Sequence, residues 1–200
     1  MISSSLTPAS VAERIASAAL GLFLQQGVKR TGVGDVAQQA GVTRVTVYRY
    51  FADKRGLVAA VCMRLAEVFQ RAAGPTPATS REVLETRLEE MGRALSALPP
   101  GNLLARLEEI KRLYPDVYEQ FRAARQAAVD SIFQQALDVA AQEGTLRDGL
   151  NPDVLKTVFW SAVVGLIENP TLISSNVPLS EIVATVTGVF RHGILKECDG

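Results

Sequence analysis

A glycine set between two short helical repeats constrains this chain more than any other feature. It lies in residues 31–55, TGVGDVAQQAGVTRVTVYRYFADKR. Val33, Val36, Ala37 and Ala40 recur at spacings that place them on one side of a short helix. Gly41 supplies the left-handed backbone that ends such a helix, and Val42 is expected as a buried contact at the bend. Thr43 is placed to cap a second helix, its hydroxyl accepting from the first free amides. In that second helix Val47 and Phe51, four apart, are the apolar anchors. Arg44, Val45, Thr46, Tyr48, Arg49 and Tyr50 fill the remaining positions, where an ordinary surface helix would carry Lys, Glu and Gln. Arginine forks, hydroxyls and flat rings suit a groove lined with phosphates and base edges. Helix, glycine bend and capped helix together make the geometry of a helix-turn-helix. The run VTRVTVYRYF has strong strand propensity, but a strand would leave Gly41 and the helix before it without a purpose.

Charge placement points the same way. The 200 residues carry no net charge. Residues 1–60 nevertheless hold seven Lys/Arg against three acids, a surplus of +4, and the remaining 140 hold 14 against 18, a surplus of −4. A basic head on an acidic body fits a nucleic-acid binder with a second, non-binding part. Hydrophobic residues make up 48% of the chain, enough to bury a sizeable core. No apolar run reaches the ~18 residues that span a bilayer. The N-terminal MISSSLTPAS lacks the basic start and apolar core of a signal peptide. Two cysteines, Cys62 and Cys198, make no disulfide framework and suit a reducing compartment. A cytoplasmic protein with no membrane partner is the expectation.

Along the chain, residues 1–9 read as a frayed arm. Ser10 with Glu13 forms a capping box, with Thr7-Pro8 as a competing start. The helix that follows buries Val11, Ile15, Ala18, Ala19, Leu22 and Phe23 and ends at Gly27. Asp53 caps a linking helix, residues 53–71, whose first turn holds Lys54 and Arg55. Cations there oppose the helix dipole unless a phosphate docks nearby. Gly74-Pro75-Thr76-Pro77 is the clearest break. Beyond it, Thr79 with Glu82 reads as a capping box, Asn102 as the cap of the next helix, and Pro115 as the start of a long helix to about Glu143. Asn151-Pro152 opens a helix apolar nearly all round, which must sit in mid-body or pack on another subunit. Asn169-Pro170 stops it, residues 171–178 form a loop, and Ser180 caps a last apolar helix. Two such helices suit a dimer interface of four, two from each subunit. The fold class is all-α: a three-helix head joined to a larger helical body, about nine helices in all. The division is 1–55 for the head and 72–200 for the body.

Catalytic and metal chemistry has little to work with. His192 is the single histidine. Cys62 and Cys198 lack zinc spacing, and no glycine-rich phosphate loop occurs. Glu89-Glu90 and Glu108-Glu109 are sequence neighbours that point to different sides of a helix and read as solvated faces. No enzyme, metal or cofactor is expected.

The head resembles the TetR family of bacterial transcriptional regulators. The likeness rests on Ile15, Ala18, Ala19, Phe23 and Gly27, continues through Thr31, Val33, Val36, Ala37, Ala40, Gly41, Val42 and Thr43, and ends with Tyr48, Tyr50, Phe51, Lys54 and Leu57. It covers about 45 residues, and the body is similar only in plan. The resemblance implies a homodimeric repressor on a partly palindromic double-stranded DNA operator, released by a small-molecule effector. It implies phosphate contacts for Thr31, Thr43, Tyr48, Tyr50 and Lys54, and base-facing positions for Arg44, Val45, Thr46 and Arg49. Two positions depart from the family pattern. Gly32 stands where a capping Thr is frequent, and Val45 where Gly or Ala is frequent. The same likeness puts a ligand pocket in the body, with Met91, Leu107, Tyr118, Phe121, Arg125 and Trp160 as candidates. An inward Arg125 implies an anionic ligand; an outward salt bridge is its alternative. Val163, Val164, Ile167, Val186, Val189 and Phe190 are the candidate dimer contacts. The competing reading is an all-helical ligand-binding or scaffolding protein that does not bind DNA, for which no salt-dependent DNA binding is expected.

Overall fold

A computed structural model describes residues 10–194. The arm at 1–9, the Thr7-Pro8 start and Cys198 lie outside the described residues. Within them the chain forms ten helices and no strand: α1 Val11–Gln26, α2 Val33–Ala40, α3 Arg44–Phe51, α4 Lys54–Ala73, α5 Arg81–Ser96, α6 Leu103–Leu113, α7 Pro115–Gln142, α8 Pro152–Ile167, α9 Pro170–Ser175 and α10 Leu179–Ile194. None is long and apolar enough to cross a membrane.

Local chemistry sets most boundaries. Ser10 and Glu13 close a reciprocal capping box on α1. Asp53, Asn102 and Asn151 each accept an amide at the start of α4, α6 and α8. Three expectations need correction. The cap of α5 is Ser80, whose Oγ accepts from the Val83 amide, and not Thr79. Residues 171–178 are not all loop: Asn169 Oδ1 accepts from the Thr171 and Leu172 amides and, with Pro170 at the first position, starts the short α9. α10 begins at Leu179, with the Pro178 carbonyl accepting from Glu181 and Ile182, so Ser180 lies inside its first turn.

The core runs from head to body without interruption. Ile15, Phe23, Val36, Val47 and Val58 pack in one cluster with Leu107, Ile110, Val117 and Phe121 of α6 and α7. The far end of α4 joins α5 and α7 through Phe69, Met91, Leu95 and Ala128. Gln135 ties down the Gly74–Pro77 break, its amide donating to the Ala73 carbonyl at 2.9 Å and its oxygen accepting from Ala78 at 2.8 Å. Cys62 is buried in mid-α4, and burial pushes its thiol up to about 12.

α8 has no buried residue in this single chain. It lies at the edge of the body, with Leu155 and Phe159 packed inward against Phe133 and Leu137 and with Val154, Val158 and Val164 facing out.

Candidate nucleic-acid interface and ligand cavity

Three local devices hold α3 against the head. Gly41 takes the left-handed conformation (φ 65°, ψ 40°) and reverses the chain after α2. Thr43 Oγ1 accepts from the Thr46 amide at 3.1 Å. Val47, 1% exposed, plugs the helix into the core, and Phe51 packs at its edge. The opposite side is open: Val45 is 76% exposed, Tyr48 and Tyr50 about half, and Arg44 and Arg49 also face solvent. Arg49 lies over the Tyr50 ring, 5.3 Å from its centroid. Arg44 folds back over Gly34, where a side chain would collide with its guanidinium. Thr46 is half-buried, its hydroxyl 2.9 Å from that of Thr43. Lys54 Nζ donates to the Lys29 carbonyl at 3.1 Å, and its pKa is lowered mainly by burial. Gly32 caps α2 without a side chain, and its amide donates to Asp35 at 2.7 Å.

Thr31 corrects one expectation. It is 1% exposed, and its hydroxyl donates to the Gly27 carbonyl at 2.8 Å. The side chain closes the turn after α1 and is not available to a phosphate.

Glu109 corrects another. It is not part of a solvated face: from α6 it accepts the Val28 amide at 3.0 Å and the Lys29 amide at 2.8 Å, and Arg106 holds it at 2.8 Å. Burial would raise its pKa, but the two amides and Arg106 outweigh burial and lower it below the ordinary 4.5. Arg55 reaches Asp116 of α7 as a second tie between head and body. Glu109→Ala leaves two amides without their acceptor, and a loss of about 1–3 kcal/mol is expected. A depressed carboxyl contributes stability above its unfolded pKa and loses it as pH falls through the folded value. Thermal melts of wild type and variant should therefore differ fully at pH 7 and converge only below about pH 4.5. A gap that persists in acid would contradict the clamp.

A half-open cavity of about 550 Å³ lies between α4, α5, α6, α7, α8 and α10, lined by Met91, Leu107, Phe121 and Arg125 among others. Tyr118 and Trp160 instead line a second cavity of about 410 Å³, whose wall also includes Arg125. Trp160 Nε1 donates to Asp130 at 2.8 Å. Sequence reasoning missed Leu65, Phe69, Phe133 and Phe159 in the large cavity. Their apolar spacing is that of any core helix.

The six candidate dimer residues divide. Val164 and Val189 stand out from α8 and α10, Val189 at 65% exposure. Val163, Ile167 and Val186 are half-buried and line the large cavity. Phe190 is the correction: its ring turns inward, edge-on to Phe159 at 5.0 Å and near Phe133 at 6.4 Å.

Residues 15–61, which hold the bend, α3 and its anchors, match the sequence profile described as bacterial regulatory proteins, tetR family. Its head is a TetR-family DNA-binding domain. An HTH-type transcriptional regulator from Mycobacterium tuberculosis strain H37Rv, itself uncharacterized, is 28% identical over 152 residues, 74% of this chain and 76% of that one. A TetR-family regulator from Rhodococcus sp. superposes with a TM-score of 0.62 at 18% identity, covering 92% of this chain and 98% of its own. SmeT in complex with triclosan superposes with a TM-score of 0.60 at 20% identity, covering 94% and 92%. The chain is a DNA-binding transcriptional regulator with a TetR-family head, and these solved structures share its all-α fold of head and body.

Proposed function

We propose that the protein is a homodimeric repressor whose grip on a partly palindromic operator is released by a small molecule. In this reading residues 1–55 bind DNA, residues 53–71 link, and residues 72–200 bind ligand and dimerise. The observation that carries it is the outward side of α3, with exposed Arg44, Val45, Tyr48, Arg49 and Tyr50 on a helix anchored by a buried Val47. Arg44, Val45, Thr46 and Arg49 are assigned to bases. Thr43, Tyr48, Tyr50 and Lys54 are assigned to phosphates, Lys54 with the donors that Lys29 leaves free. The exposed valines of α8 and α10 support a second copy as the dimer partner. The large cavity, within the ~300–1,000 Å³ of small-molecule sites, supports an effector.

Two heads must present α3 about one DNA turn apart, ~34–36 Å. α4 runs from the head into the cavity wall, where Leu65 and Phe69 take part. An effector with unequal affinity for two tilts of α4 shifts that spacing, by a coupling of ~1–3 kcal/mol in typical allosteric proteins. Sequencing genomic DNA captured by the purified protein would give the operator, and gel shifts would then test the roles. Arg44→Ala is expected to cost about 1–3 kcal/mol on the operator and to relax its sequence preference. Tyr48→Phe is expected to weaken operator and scrambled DNA alike, by roughly 0.5–1.5 kcal/mol. Unchanged affinity in both variants would contradict α3 as the reading helix.

A further inference from the structure

The wall between the two cavities holds a cation that its surroundings do not explain. Arg125 lies on α7, one turn after Phe121, and is 8% exposed. Its guanidinium sits 5.5 Å from the centroid of the Phe121 ring. Its Nε is buried without a hydrogen-bond partner. The other Lys and Arg side chains lining these cavities have carboxylates: Lys111 pairs with Glu168, Arg122 with Glu119, and Arg191 with Glu85. Among the described residues, no ion pair involves Arg125. Burial lowers its pKa, but a guanidinium stays protonated at any physiological pH. A buried charge without a partner is costly, and a ligand anion would remove the cost. Around it the large cavity is mostly hydrocarbon, with Leu65, Phe69, Met91, Phe133 and Phe159, and its charged groups besides Arg125 are Glu85, Glu89 and Arg191.

We propose that the effector is an apolar molecule carrying one carboxylate, with its hydrocarbon body in the large cavity and its carboxylate on Arg125. This rests on the ligand-responsive reading above and adds the chemical class. Geometry favours a carboxylate because the planar guanidinium fork matches it with two parallel hydrogen bonds. A cationic amphiphile finds less: Glu85 is already paired with Arg81 and Arg191, and Glu89 at the rim is exposed to water.

The probes are decanoate, 1-decanol and decyltrimethylammonium, each below its micellar concentration, with calorimetry and Trp160 fluorescence as readouts. Trp160 is the chain's single tryptophan and lies 5.6 Å from Phe159, which lines the large cavity. Decanoate is expected to bind at least about tenfold more tightly than decanol, the scale of one charge-assisted hydrogen bond. Arg125→Met should erase that difference and leave decanol binding in place, and Arg125→Lys should restore part of it. The wild-type comparison stands even if a variant fails to fold. Equal or tighter binding of decanol or the ammonium, or no binding of any probe, overturns the assignment. Gel shifts with the same probes separate the two readings. Decanoate that binds without releasing DNA would sink the effector reading and leave the carboxylate site. Release by the ammonium but not by decanoate would do the reverse.

Discussion

Val189→Glu is expected to leave a folded, fully helical chain that sediments as a monomer and binds its operator about 10²–10⁴-fold more weakly. Val189 is 65% exposed on α10, so a carboxylate there can reach water in the single chain. Exposed substitutions of this kind usually change stability by no more than about 0.5 kcal/mol. Any large effect must therefore come from a surface that Val189 covers in the assembly. Across a two-fold axis the change enters twice, and a charge buried in an apolar contact without a partner is strongly unfavourable. Losing the link between heads removes the effective concentration with which the second head finds its half-site, which sets the factor quoted. Sedimentation, circular dichroism and gel shifts on one preparation decide it. A dimer that persists with unchanged DNA affinity would remove α8 and α10 as the joining surface.

Gly56→Ala is expected to destabilise the head by about 3 kcal/mol and to lower the melting temperature by roughly 6–12 °C. Gly56 lies in the first turn of α4, and its amide donates to the capping Asp53 at 2.7 Å. A Cβ at this position would fall inside the van der Waals surface of the Phe51 carbonyl oxygen. That atom is backbone, at the end of α3, and has no rotamer by which to escape. The chain between them is already tight, with Ala52 at φ 56°. Relief requires α3 to move relative to α4, so operator binding should fall further than the melting temperature alone accounts for. Differential scanning calorimetry and gel shifts check both parts. A variant with wild-type melting and wild-type DNA affinity would show that this turn relaxes at no cost.

What could be read from the sequence was local. Thr43, Asp53, Asn102 and Asn151 cap helices through atoms within three residues, and Gly41 sets its own backbone, so a single chain states them directly. Misreadings arose where one local pattern serves two outcomes. Asn169-Pro170 ends α8 and also caps and opens α9. Thr79 and Ser80 are adjacent hydroxyls with equal claims on α5. Thr31 has the residue type for a phosphate contact, but its partner is a carbonyl four residues back, on the inner side of a turn that periodicity does not orient. Glu109 was illegible for a different reason: its partners, Val28 and Lys29, are some eighty residues away. The cavity shares that difficulty. Phe133 and Phe159 repeat like any core residue, and only packing decides whether they close a core or leave a space within it. Arg125 differs from them in carrying a charge, but its spacing on α7 left both an inward placement and an outward salt bridge open.

Cys62 carries a last consequence. Its sulfur, sealed inside the helix that joins head to body and held as the thiol up to a pH of about 12, presents almost no thiolate at neutrality. Peroxide and soft electrophiles attack the thiolate, so this position is chemically silent under oxidative stress. A labelling reagent added to the native protein should pass it by, and its modification would instead time the opening of the helix that surrounds it.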